Sequence, residues 1–160
     1  MKLKFTIIFF VLVCFSNLYS QNSFAKGYYI DVKNNRIECL IKDEDWDFNP
    51  TEFSLKTDEN STDRVISASD FIEFGVNEYK FVKANVKIDK SNDNYNNLTG
   101  DKTLNLVEDT LVLRVLIEGE ANLYTYKNEK FTRFFYSVNN AAITLLSFKI
   151  YNYEGGFAIN

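Results

Sequence analysis

Histidine is absent from all 160 residues of this chain. That removes the commonest general base and transition-metal ligand, and with them serine–histidine and cysteine–histidine nucleophile pairs and the usual zinc sites. Proline occurs once, as Pro50, and there are six glycines. So little of either argues against a low-complexity linker or a second, disordered domain. Cysteine occurs only as Cys14 and Cys39. Long apolar runs are missing too, except near the start.

That start is "MKLKFTIIFFVLVCFSNLYSQN". Lys2 and Lys4 precede a short apolar run and then a polar, small-residue segment, which is the layout of a secretory signal peptide. Cleavage is expected between Ser20 and Gln21. The apolar run is short of the roughly 20 residues a permanent span needs. Val13 stands before Cys14 where lipoprotein processing wants a small residue, so lipidation is not expected. The expected division is therefore 1–20 as a cleaved signal peptide and 21–160 as a single soluble β-rich domain. Taking away Lys2 and Lys4 leaves 16 basic residues against 22 acidic ones, a net charge of −6. An acidic exported domain is a poor partner for nucleic acid or anionic lipid. Cys39 alone cannot form an internal disulfide, so the fold rests on its core.

Beyond residue 21 the pattern has period two, with β-branched and aromatic residues alternating with charges. In "KGYYIDVK", Tyr28, Ile30 and Val32 alternate with Tyr29, Asp31 and Lys33. Asn34 and Asn35 follow, suited to the left-handed conformations of a tight hairpin. "RIECLIK" returns with Ile37, Cys39 and Ile41 on one face, which makes Cys39 a small core residue. "DEDWDFNP" breaks the pattern, and "TEFSLKT" restores it. Ser69 and Asp70 are placed as caps for one helical turn, and Gly75 suggests a bulge. "EYKFVKANVKID" alternates through Val82, Ala84, Val86 and Ile88. Residues 108–138 read as three strands joined at 118–120 and 127–129. Leu111, Leu113, Val115 and Ile117 share a face of the first, while Val112 and Leu116 make the other partly apolar, as in a central strand. "ITLLSFKIYNY" reads as a strand or an amphipathic segment. The expected fold is mainly β: an antiparallel meander forming a sandwich or small open barrel, with little helix. No alternate face is clean enough for a barrel in the outer membrane, and a membrane span in the mature chain is not expected.

Few residues suggest chemistry. "IDKSNDNYNNLTGDK" sets Asp89, Ser91 and Asp93 at calcium-loop spacing, but counting from Asp89 puts Asn94 where the loop needs glycine and Gly100 where it needs glutamate. No metal is expected, and no cofactor. Asp43, Glu44, Asp45 and Asp47 surround Trp46, and paired acids beside an aromatic platform are the equipment of glycoside hydrolysis. Most such clusters are exposed turns. Trp46, Tyr124, Tyr126 and Tyr136 are the candidates for lining a ligand groove, though aromatics at strand spacing are more often core. "DTL" places Thr110 as a candidate O-glycan acceptor.

Three stretches carry a resemblance. "KGYYIDVKNNRIECLIKDEDWDFNPTEFSLK" holds a K-G start and a W-x-x-N-P element. "FIEFGVNEYKFVKANVKIDKSNDNYNNL" holds K-I-D-x-S-x-D-x-x-x-N-L, and "LVLRVLIEGEANLYTYKNEKFTRFFYSV" follows. Together they resemble the N-terminal soluble domain of a family of exported Bacteroidota-type proteins of unknown function. Its longer members continue into an outer-membrane β-barrel of the PorT-like type. The resemblance implies no enzymatic activity. This chain departs from it at Asn35 and Cys39, where the pattern has glycine, and in stopping soon after "FKIYNYEGG". It reads as a short stand-alone member or as a chain truncated at its C-terminus. The functional expectation is an exported, non-catalytic β-domain in the periplasm or on the surface of a Gram-negative bacterium, binding an envelope protein or glycan. A small-molecule or glycan-binding β-barrel is the alternative, and a carboxylate-based hydrolase comes last. Oligomeric state is not legible.

Overall fold

The computed structural model describes residues 23–139, 141–154 and 156–159, with the backbone alone at Phe157. Ser20, Gln21 and Cys14 lie outside the described residues. The chain forms β1 (Phe24–Asp31), β2 (Arg36–Lys42), β3 (Glu52–Lys56), β4 (Arg64–Ser67), β5 (Phe71–Val76) and β6 (Tyr79–Asp89). After the polar loop come β7 (Leu106–Ile117), β8 (Ala121–Lys127), β9 (Thr132–Val138), β10 (Thr144–Leu146), β11 (Ile150–Tyr153) and β12 (Gly156–Ile159). Among the described residues the one helical piece is a 3-10 turn at Tyr95–Asn97. The protein is mainly β, as its alternation predicts, and its large sheet is an antiparallel half-barrel.

Ten strands lie in the order β10-β9-β8-β7-β6-β5-β1-β2-β3-β4, and β11-β12 is a separate hairpin. The order is a meander except at one point: β5 returns to pair with β1. Along a flat sheet β4 and β5 would lie four strand spacings apart, about 19 Å. Only residues 68–70 join them, a reach of about 14 Å. The sheet must therefore curl. β2 and β3 pair only through Leu40–Lys56 and Ile41–Leu55, the shortest ladder in that sheet.

Two hydrophobic cores result. The first gathers Tyr29, Cys39, Ile41, Trp46, Phe53, Leu55, Ile66, Phe71, Phe74, Val76, Phe81 and Val112 inside the curl of β1–β5. Its centre is a column of rings, with Phe53 on Phe74 at 4.4 Å and Phe74 on Phe81 at 4.8 Å. The second gathers Val86, Ile88, Leu111, Leu113, Tyr124, Phe131 and Phe135, with Val82, Ala84 and Leu145 packed against it. Successive residues of a strand point to opposite faces. Phe81 and Val112 belong to one core, and their neighbours Val82, Leu111 and Leu113 to the other. The cores therefore lie on opposite faces of β6 and β7, which explains why β7 is apolar on both sides.

Local chemistry accounts for the turns and corrects four expectations. Asn34 does adopt a left-handed conformation, φ 66°, and the Asp31 carboxylate closes its turn by accepting from the Lys33 and Asn35 amides at 2.8 Å. In β1, however, Tyr29 enters the core while Val32 is exposed, the reverse of the predicted face. Tyr28 lies on the outside, its hydroxyl donating to Glu73 at 2.7 Å and its ring covered by the Arg36 guanidinium at 3.4 Å. Gly75 makes room for that ring, since a Cβ there would sit 2.6 Å from it. The bulge falls instead between Ile30 and Asp31. Ser69 and Asp70 form a tight turn rather than a helical one, closed by the Asp70 amide on the Ser67 carbonyl at 2.9 Å. A second bulge between Val115 and Ile117 turns Ile117 away from the face of Leu111 and Leu113.

Candidate functional site

The polar loop after β6 is tied to β9 by a buried arginine, and also by the Asp93 amide on the Lys130 carbonyl and the Thr132 amide on the Asp93 carboxylate, each at 3.1 Å. Arg133 of β9 is fully buried and held between the rings of Phe131 and Phe148. Its Nε donates to the Asp89 carbonyl at 2.9 Å and its Nη2 to the Asp89 carboxylate at 3.2 Å and the Ser91 carbonyl at 2.6 Å. Its Nη1 takes both oxygens of Asp93, at 2.8 and 2.7 Å. The rest of Asp89 accepts from the Ser91 amide and hydroxyl and from the Asn105 amide. The alternation that imitated a calcium loop thus presents carboxylates to a guanidinium and to main-chain donors. Among the described residues no group of three His, Cys, Asp or Glu side chains is placed to hold a metal ion.

The W-x-x-N-P segment is a clasp between the two halves. Trp46 is buried against Phe74 and Phe81, each 5.6 Å away, and its Nε1 is buried without an acceptor. Three residues on, Asn49 reaches β7 and β8. Its Nδ2 donates to the Val112 and Thr125 carbonyls at 2.8 and 3.0 Å, and its Oδ1 accepts from the Lys127 amide at 2.8 Å. A side-chain amide offers the same groups as a peptide, so Asn49 supplies the next rung where the β7–β8 ladder stops at Arg114–Thr125. The acids around Trp46 point to separate partners. Asp43 accepts from Asn77, Glu44 pairs with Lys42, and Asp47 pairs with Lys127 at 2.5 Å.

The four candidate aromatic residues do not form one site. Trp46 lies in the first core and Tyr124 in the second, where its hydroxyl meets Ser137 at 3.2 Å. Tyr126 is half-buried and lines a depression of about 240 Å³ with Ile88, Lys90, Asp109, Leu111, Asn128, Lys130 and Phe131. Tyr136 is exposed on the other face of the sheet. Thr110 is exposed in mid-strand, opposite Asn85. Burial pushes the Cys39 thiol up to about 11, as suits a core residue.

The most unusual surface is one that no single residue advertises. Strand β9 is inside out: Arg133, Phe135 and Ser137 are buried, while Phe134, Tyr136 and Val138 face solvent. Register shows what surrounds them. Ile117, Leu123, Tyr136 and Thr144 form one row across β7–β10, Thr125, Phe134 and Leu146 the next, and Ala121 pairs with Val138. The large exposed side chains there run from 36% at Phe134 to 57% at Ile117, while Leu123 and Thr125 are half-buried. Through Arg114, opposite Phe81, this is the same face that carries the first core on β5 and β6. Chain from Trp46 to Asn49 lies against that face as far as β8. Beyond it, among the described residues, the face stays apolar and exposed.

Three of the bordering charges are engaged within the molecule. Arg114 covers the Tyr79 ring at 4.4 Å, Lys127 holds Asp47, and Glu118 holds Lys80 at 2.6 Å. Burial works against the Lys80 ammonium, but its Glu118 hydrogen bond and the Glu73 charge outweigh it, so its pKa is raised. Comparison with family models, with curated proteins and with solved structures finds no match to this chain.

Proposed function

We propose that this chain is an exported, non-catalytic β-domain that acts by binding a partner at the bacterial envelope, through the bare face of β7–β10. One observation carries the reading: β9 turns its more apolar face to solvent and buries an arginine on the other. Burying Arg133 costs several kcal/mol unless every donor is met, and here six hydrogen bonds meet it. That arrangement leaves Phe134, Tyr136, Val138, Leu146 and Ile117 as a contiguous apolar patch, the kind of surface that marks an interaction site. Capture from envelope extract tests it. The wild-type domain is expected to retain an envelope component that Phe134→Lys and Tyr136→Lys release. Equal retention by all three would contradict the assignment.

The alternative, a small-molecule or glycan-binding barrel, has the Tyr126 depression in its favour. Its floor of Ile88, Leu111 and Phe131 and its rim of Lys90, Asp109, Asn128 and Lys130 combine apolar and polar groups as ligand pockets do. Glycan-array binding abolished by Tyr126→Ala, with no effect of Phe134→Lys, would move the function there. A hydrolase built on Asp43, Asp45 or Asp47 has the least support, because Asp43 and Asp47 are each drawn to a different partner.

A further inference from the structure

We infer that the partner the bare face fits is a second copy of this chain, stacked face to face about a two-fold axis. The inference rests on the reading of that face as a binding surface, and adds its occupant.

Charge is the first argument. Ile117, Ala121, Leu123, Thr125, Phe134, Tyr136, Val138, Thr144 and Leu146 make up the patch, and none is Asp, Glu, Lys or Arg. β10 is the one strand of the ten-stranded sheet with no charged residue. An isologous interface brings the same patch of both copies together, and residues near the two-fold axis meet their own counterparts, where like charges repel. In a chain with 22 acidic residues against 18 basic, an uncharged patch is where two copies can approach. A charged foreign partner would find little to pair with here, since Arg114, Lys127 and Glu118 at the border are already engaged.

Area is the second argument. From their exposures, the five large side chains offer roughly 450 Å² per copy, or about 900 Å² for two, in the range of weak, reversible interfaces. Two twisted sheets stack through such faces about 10 Å apart, with side chains interdigitated. The structure therefore assigns a reversible homodimer that extends the first core's face into a sandwich between copies.

Sedimentation velocity across the micromolar range tests this, using the chain recovered from an exporting host. A monomer–dimer equilibrium is expected. Phe134→Lys and Tyr136→Lys should each weaken it by about tenfold or more. Both positions face solvent in the monomer, and an unchanged near-ultraviolet circular dichroism spectrum would show that each variant folds. Added salt should strengthen association, because it screens the repulsion between acidic copies; a charge-paired interface would weaken. A monomer at every concentration, or a dimer indifferent to both substitutions, overturns the inference. If the chain is monomeric but Phe134→Lys still abolishes capture of an envelope component, self-association fails and the binding face stands. If neither is affected, both fail.

Discussion

Arg133 shows how much one side chain decides. Its guanidinium fixes the loop that follows β6, and its burial sets which face of β9 points outward. Arg133→Ala leaves Asp89 buried without its cation, and the expected cost is about 3–5 kcal/mol, measured by urea unfolding. Arg133→Lys should recover only part of that, because an ammonium cannot reproduce the two-oxygen grip on Asp93. With Asp89 and Asp93 so engaged, calcium should not shift the unfolding midpoint; a rise on titration would contradict the geometry. Cys39 gives a pH test. Its pKa is raised from 9.0 to about 11 in the fold. A neutral thiol therefore favours the folded state fully below pH 9, and that contribution is lost as pH rises toward 11. The thiol should be inert to a disulfide reagent at pH 8 until the protein unfolds. Cys39→Ala should remove part of the stability loss between pH 9 and 11. None of the arginine's role was legible in "FTRFFYSV". A lone arginine on a strand reads as the solvent side, and only the placement of Asp89 and Asp93, some 40 residues earlier, says otherwise.

Strands and hairpins were legible because alternation is local. The reversal in β1 was not, because Tyr28 and Tyr29 are equally apolar neighbours. What separates them is Gly75 on β5, which admits the Tyr28 ring, and Glu73 and Arg36, which engage it. Burial first, and then the Glu73 hydrogen bond, raise the Tyr28 pKa. The glycines give an ordered prediction. A Cβ at Gly27 would lie 2.5 Å from the Gly75 carbonyl, which is backbone and cannot yield, whereas at Gly75 it meets the movable Tyr28 ring. Gly27→Ala should therefore cost more than Gly75→Ala, with overpacking of this kind worth about 1–3 kcal/mol; denaturant midpoints would rank the two. Asn49 makes three bonds to β7 and β8 with its side chain. Asn49→Ala should cost about 2–3 kcal/mol and speed amide exchange at Lys127. The W-x-x-N-P spacing signalled an element of note, but not that Trp46 enters the first core while Asn49 reaches the main chain of β7 and β8.

At the scale of the molecule, the fold is one curled sheet with two cores on opposite faces. The short link from β4 to β5 imposes the curl, and the clasp at residues 46–49 covers the face the curl leaves open. The sheet is a half-barrel; alternation predicted the β class and an antiparallel meander, without choosing between a sandwich and a small open barrel. It could not predict the two-sided arrangement, because β6 and β7 carry apolar residues on both faces and either could have been solvent. Nor could it find the bare face, which exists only once four strands are in register. Phe74→Ala, at the centre of the ring column, should cost about 3–5 kcal/mol, while Tyr136→Lys should leave stability nearly unchanged. That contrast separates residues kept for the core from those kept for the surface. The central claim is that the β7–β10 face is where this protein meets its partner. Photo-cross-linking in the producing cell, with the reactive group at position 136 or at the still more exposed Val65 of β4, asks this directly. A discrete adduct from position 136 and none from position 65 is the predicted result. Equal labelling from both, or none from 136, would contradict the account.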